Sequence, residues 1–131
     1  MAERVAVVLR RGGERRHQTL SWRVGADYRI TVDGPGRGRE ATGPDLFAAL
    51  AGLRRQLEAE GWRIAVQGAR LDTYPSGMAR DMGGGRRVYV LHMGRAAASG
   101  DLVDTLDPVD DASPLATVDE QERRFQTWLA S

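Results

Sequence analysis

Apolar and polar residues alternate along the first third of the chain. Val5, Val7 and Leu9 share one face of residues 4–10. Leu20, Trp22 and Val24 do the same against Thr19, Ser21 and Arg23, and Tyr28, Ile30 and Val32 against Arg29 and Thr31. The polar stretch 11–17 separates the first two segments. Gly25-Ala26 permits a tight hairpin between the second and third, with Gly at the first central position. These residues predict a three-stranded antiparallel meander over 1–33, with one face buried and one wet. Residues 33–43 hold four glycines and a proline and are expected to be a loop. Gly34-Pro35-Gly36-Arg37-Gly38 does not suit a nucleotide phosphate loop, because it has no Lys and no helix directly after it.

The period changes at residue 44. Leu46, Leu50, Leu53 and Leu57, joined by Phe47, recur at helical spacing and predict a helix over 44–60. Pro44 fits the first helical position, Asp45 suits the first turn, and Gly61-Trp62 suits a Schellman ending with Trp62 folded back on Leu57. Arg54, Arg55, Glu58 and Glu60 are expected on the solvated side, with Arg54–Glu58 as an i,i+4 pair. Residues 63–69 and 86–93 read as strands, and the whole of 63–93 as strand, loop, strand. Asp101–Leu106 reads as a short helix stopped by Asp107-Pro108, opening an acidic helical segment over 101–131. Thr117-Val118-Asp119-Glu120 matches a capping box and starts a helix over 118–130 with Gln121, Phe125, Trp128 and Leu129 on one stripe.

The expected fold is therefore α+β, in a single domain spanning 1–131. An antiparallel sheet of about five strands has the central helix (44–60) and the C-terminal helix (118–130) packed on one face. The expected core is the apolar strand and helix positions just named, with Trp62, Ile64, Val66, Val88 and Val90, but without Tyr28, Phe47, Gln121 and Leu129.

Composition narrows the function classes. The 131 residues are 41% hydrophobic and 28% charged, ordinary for a soluble globular chain. Cysteine is absent, which excludes a Cys nucleophile, an iron–sulfur cluster and a Cys-based zinc site. With only His17 and His92, no metal and no cofactor is expected. No apolar run reaches the roughly 18 residues of a membrane span. Met1-Ala2-Glu3-Arg4 leads into a strand-like run and not a signal peptide, so a cytoplasmic location is expected. All 19 basic residues are Arg, with no Lys and no Asn, a usage that fits a GC-rich genome. The net charge of +1 hides an asymmetry. Residues 1–40 carry nine Arg against five acids, whereas residues 101–131 carry two Arg against eight acids. Nucleic-acid binding is not favoured by this total, nor by Trp22 and Tyr28, whose alternation puts them on the core face and not on a base-stacking surface.

Residues 68–91 are dense in chemistry that packing does not require. Arg70, Asp72, Tyr74, Ser76, Arg80, Asp81, Arg86, Arg87 and Tyr89 surround Pro75 and the glycine run Gly83-Gly84-Gly85. Met78 and Met82 stand i,i+4 across one helical turn that Ser76 can cap, and are expected to plug the core. Three readings compete. Arg70, Arg80, Arg86 and Arg87 form a fork for a small phosphate or carboxylate. Alternatively, the segment is a protein-binding surface anchored by Tyr74, Tyr89 and Arg. In the plainest case, Arg70–Asp72 and Arg80–Asp81 ion pairs stiffen a long loop. Catalysis has little support. Ser76 lies in Pro-Ser-Gly-Met and lacks a nucleophile elbow. Asp72 and Asp81 each have an Arg neighbour that lowers a carboxylate pKa, the wrong direction for a general acid.

The string Gly68-Ala69-Arg70-x-Asp72-x-x-Pro75-Ser76-Gly77-Met78-x-Arg80-Asp81-Met82-Gly83-x-Gly85, followed by Val88-Tyr89-Val90-Leu91 and Asp101-Leu102-Val103-Asp104, resembles a group of small uncharacterised bacterial proteins. The resemblance runs from the Leu46–Trp62 helix through Asp107. Such proteins look like immunity or accessory proteins encoded beside secreted toxins. The resemblance implies a protein partner, and no activity or site residue follows from it. The expected function is a non-enzymatic protein-binding module, with a small-anion site and nucleic-acid binding as the alternatives.

Overall fold

The computed structural model describes residues 2–131. Strands β1 (Glu3–Arg11), β2 (Glu14–Val24), β3 (Tyr28–Val32) and β4 (Arg39–Gly43) form a continuous antiparallel meander. Helix α1 (Leu46–Glu58) follows, then β5 (Arg63–Ile64), which pairs with the far edge of β1 at Leu9 and Arg10. The sheet order is β4-β3-β2-β1-β5. A second, three-stranded sheet has the order β6-β7-β8, from β6 (Thr73–Tyr74), β7 (Arg87–Val90) and β8 (Leu102–Asp104). Between β6 and β7 lies the one-turn helix α2 (Gly77–Asp81), and the described chain closes with α3 (Val118–Leu129). The fold is α+β, with a curled five-stranded antiparallel sheet and a C-terminal helix.

The alternation of the meander carries through to the core. Val7, Leu9, Leu20, Ile30 and Val32 are buried beneath α1, whose Leu46, Leu50, Leu53 and Leu57 face them. The predicted helix end forms as read. Gly61 has φ +84°, Trp62 N–H donates to Leu57 O at 3.0 Å, and the indole is buried. At the other end Asp45 is the N-cap, its carboxylate accepting from Ala48 N–H, so Pro44 stands just outside the helix instead of in its first turn. Thr117 and Glu120 form the capping box of α3.

Several elements differ from the expectation. Residues 39–43 are the edge strand β4, because the glycines and proline before them are confined to 34–38 and Arg39-Glu40-Ala41 alternates. Val24 is half exposed at the tip of the β2–β3 hairpin, where residues 25–27 make the turn and Gly25 is not at positive φ. Residues 65–69 leave the strand, and Gln67–Ala69 form a 3-10 turn. Gly68 packs so closely on Thr105 that a Cβ there would lie 2.6 Å from its methyl group. Residues 102–104 are not helical, since Leu102, Val103 and Asp104 pair with Tyr89, Val88 and Arg87. The strand over 86–93 therefore belongs to the second sheet, and β4 completes the first.

Arg54 is the largest departure within α1. It is only 2% exposed, although helical spacing puts it on the polar side. The C-terminal segment covers it. Arg54 donates to Gln121 Oε1 (2.6 Å), Ala116 O (2.9 Å) and Gly68 O (3.3 Å), with Glu58 at 3.9 Å. Burial pushes its guanidinium down to about 10. Gln121 in turn donates to Gly68 O, Arg70 O and Thr73 O. α3 thus lies mainly against α1 and β6. Phe125 and Trp128 are partly buried in an aromatic row running Phe47–Tyr74–Phe125–Trp128, and Leu129 is exposed.

Candidate functional site

The segment 70–89 folds as a short strand, a helical turn, a glycine loop and a returning strand. Ser76 caps α2 by accepting from Ala79 N–H at 3.0 Å. The glycine run then docks on the start of α1. Leu46 N–H donates to Gly84 O at 2.8 Å, and Gly84 and Gly85 have φ of +65° and +66°. A Cβ on Gly85 would stand 2.6 Å from Asp45 Oδ1, and one on Gly84 would stand 2.1 Å from Tyr28 Oη. Only glycine allows this approach at this backbone conformation. Gly84 and Gly85 therefore bring α2 against the N-terminus of α1.

This docking separates the charged side chains. Arg70 makes a two-pronged pair with Asp72, both contacts at 2.8 Å, as sequence reasoning expects. Arg80 pairs with Asp45 at 3.0 Å instead of with its neighbour Asp81, and lies over the Phe47 ring. Asp81 is exposed. Arg87 reaches Asp104 at 3.4 Å. Arg86 lies over the stacked rings of Trp22 and Tyr28, 5.1 and 5.8 Å from their centroids. Tyr74 stacks on Phe125 at 4.0 Å within the aromatic row. The four guanidiniums thus hold four different partners and do not converge on one anion-sized space.

Met78 and Met82 correct the sequence reading most sharply. They do not plug the core: they are 71% and 82% exposed. α2 is too short to have a buried face, and none of its residues is buried. With Tyr89, Leu102, Arg86 and Arg87 the two methionines line an open groove of 470 Å³ whose wall is mainly apolar. Ser76, Arg86, Arg87 and Tyr89 thus come together around this groove, while Arg70, Asp72 and Tyr74 lie apart from it, toward Gln67 and α3. Sequence reasoning missed Met78 and Met82 as groove members by assigning them to the core, and missed Leu102 because a helix over 101–106 hid its pairing with Tyr89.

Other chemistry is sparse. Among the described residues no group of three or more His, Cys, Asp or Glu is placed to hold a metal ion. His92 lies 3.6 Å from Asp101 near the C-terminal end, remote in sequence and pairing from Ser76. No helix among the described residues is long and apolar enough to cross a membrane. No protein-family profile matches the chain, and no curated protein matches it.

Proposed function

We propose that this chain is a non-enzymatic protein-binding module that grips its partner through the α2–β7 groove. One observation carries the reading: two methionines on a single capped turn stand almost fully in solvent beside an apolar groove. Side chains that contribute so little burial to the fold do not explain why the turn is held by a cap and a glycine dock. Methionine suits a docking surface, since its unbranched thioether adapts to a partner's shape. Arg86 and Arg87 at the rim and Tyr89 in the wall supply the polar anchors such surfaces use. The matching partner is a protein segment with apolar side chains flanked by carboxylates. The resemblance to small immunity-type bacterial proteins leans the same way and makes a blocked toxin-like protein the expected class of partner. The small-anion alternative is weakened by the separate engagement of Arg70, Arg80 and Arg87 with carboxylates.

The test is affinity capture from native-host lysate with the intact chain and with Met78→Ser/Met82→Ser and Arg86→Ala/Arg87→Ala variants in parallel. The reading expects one stoichiometric protein on the intact chain, lost from both variants while the thermal unfolding of Met78→Ser/Met82→Ser stays unchanged. A stoichiometric partner held equally by all three forms would remove the groove from the argument.

A further inference from the structure

The open face of the five-stranded sheet carries a second surface, independent of the groove. Alternation puts Arg4 and Arg10 of β1, Arg15 and Arg23 of β2, Arg29 of β3 and Arg63 of β5 on the side away from α1. The register sets like charges against each other. Arg10 stands opposite Arg15 on one side and Arg63 on the other, and Arg23 stands opposite Arg29. Directly opposed like charges destabilise a sheet, so fold stability does not account for the arrangement. Elsewhere in the molecule Arg is mostly neutralised, as at Arg39–Glu60, Arg54–Glu58, Arg70–Asp72 and Arg80–Asp45. Among the described residues, Arg29 alone on this face has an ion pair, with Glu40 at 3.1 Å. The carboxylates of Asp33, Asp110 and Asp111 border the face, with Asp111 close to Arg10 and Glu120 of α3 close to Arg63. Asp33 accepts from Thr19 N–H, and Arg10 reaches only the backbone oxygen of Asp110.

We infer that this face binds the phosphate backbone of a nucleic-acid duplex. The side chains between the arginines are His17, Thr19, Ser21 and Thr31, with Ala6 and Val8 as the small apolar members. Guanidinium and hydroxyl donors on an open, strongly cationic surface are the groups that contact phosphates. An acidic protein would need large apolar or aromatic anchors in the centre of its footprint, and the apolar members of this face are the small Ala6 and Val8. Single strands are held by base stacking on exposed aromatics, and Trp22 and Tyr28 lie on the opposite side of the sheet. Arg4 and Arg10 are six residues apart on β1, roughly 20 Å at about 3.4 Å per residue, so the two ends reach separate phosphates. Two shallow hollows, 330 and 180 Å³, share Ser21 and Thr31; Arg4 and Asp33 line the first, and Arg23, Arg29 and Glu40 the second, so a phosphate is met by the arginines at their edges and not inside the hollows. The chain's overall charge of +1 is compatible with this, because the acids gather in the C-terminal third.

Fluorescence anisotropy with a labelled duplex of about 20 base pairs tests the inference, in DNA and RNA versions and with poly-glutamate as competitor. The duplex is expected to bind at 50 mM NaCl and to weaken at least about tenfold by 200 mM. Arg10→Gln/Arg15→Gln and Arg4→Gln/Arg23→Gln should each weaken binding and flatten the log–log salt slope by about one per lost phosphate contact. The matching Arg→Lys pairs should retain most binding, and Met78→Ser/Met82→Ser should bind like the intact chain. No binding at 50 mM NaCl overturns the inference, as does binding that the Arg→Gln pairs leave unchanged. Poly-glutamate competing as well as unlabelled duplex, charge for charge, overturns it in favour of an acidic protein.

Discussion

Beneath α1, the five-stranded sheet encloses Leu9, Leu20, Ile30, Leu50, Leu53 and Leu57, all fully buried. The three-stranded sheet contributes a single fully buried aliphatic side chain, Val88, and beside the Tyr74 ring, packed on Phe47 and Phe125, it is joined to the rest through polar groups. Thr73 Oγ1 donates to Gln67 O, Thr105 Oγ1 donates to Gly85 O at 2.7 Å, and Gln121 gathers the carbonyls of Gly68, Arg70 and Thr73. The first region is held by nondirectional burial, which tolerates changes in detail. The second is held by directed bonds in a dry interior, where a missing partner is costly. The region with the thinner apolar core is also the one that presents the groove.

The predictions follow that contrast. The largest loss is expected for Arg54→Ala, which strips donors from Gln121 Oε1, Ala116 O and Gly68 O. Breaking such a buried charged network costs about 3–5 kcal/mol. Leu53→Ala, in the apolar region, should cost about 2–5 kcal/mol. Urea unfolding measures both, and native-state hydrogen exchange separates them. Leu53→Ala should lower protection throughout, whereas Arg54→Ala should release β6–β8 and α3 before the five-stranded sheet. Equal release in both variants would dissolve the distinction.

Gly85→Ala comes next. It forces a side chain into φ +66° and against Asp45, at a cost of about 1–3 kcal/mol. Because it disturbs the dock and not the groove wall, partner capture should weaken along with stability. Thr117→Ala should cost about 1 kcal/mol through loss of the α3 cap. The same change alters acid behaviour. The Thr117 backbone N–H and hydroxyl hold the Glu120 carboxyl below its ordinary 4.5. That contribution is present above pH 4.5 and disappears as pH falls through the lowered folded value. Stability of Thr117→Ala and of Glu120→Gln should therefore fall less steeply on acidification. The smallest effect is expected for Met78→Ser/Met82→Ser, within about 0.5 kcal/mol of the intact chain, because the side chains are already in solvent.

Legibility followed the same division. The meander, α1, its Gly61-Trp62 ending and the Thr117 box could be read because each depends on neighbours within a few residues, through alternation, helical spacing or a cap. Ser76 capping and the Arg70–Asp72 pair were legible for the same reason. Arg54 and Gln121 were not legible as a pair, since 67 positions separate them. Met78 and Met82 were misplaced because i,i+4 spacing names a shared face without saying what lies opposite it. Arg80 found Asp45 instead of Asp81 because the glycine dock, a long-range event, brought the N-terminus of α1 to it.

By itself, the order of residues determined the α+β class, the inward faces of β1–β3 and the apolar stripe of α1, since period-2 and period-3.6 patterns are local properties of the backbone. It also determined that α2 would be a capped turn flanked by glycines. Tertiary structure alone decided that the late strands form a second sheet, that Arg54 is enclosed, and that the two methionines face solvent. Those outcomes depend on which distant segment covers which face. Burial and charge pairing are set by that meeting, and a repeat of hydrophobicity along one segment does not encode its partner.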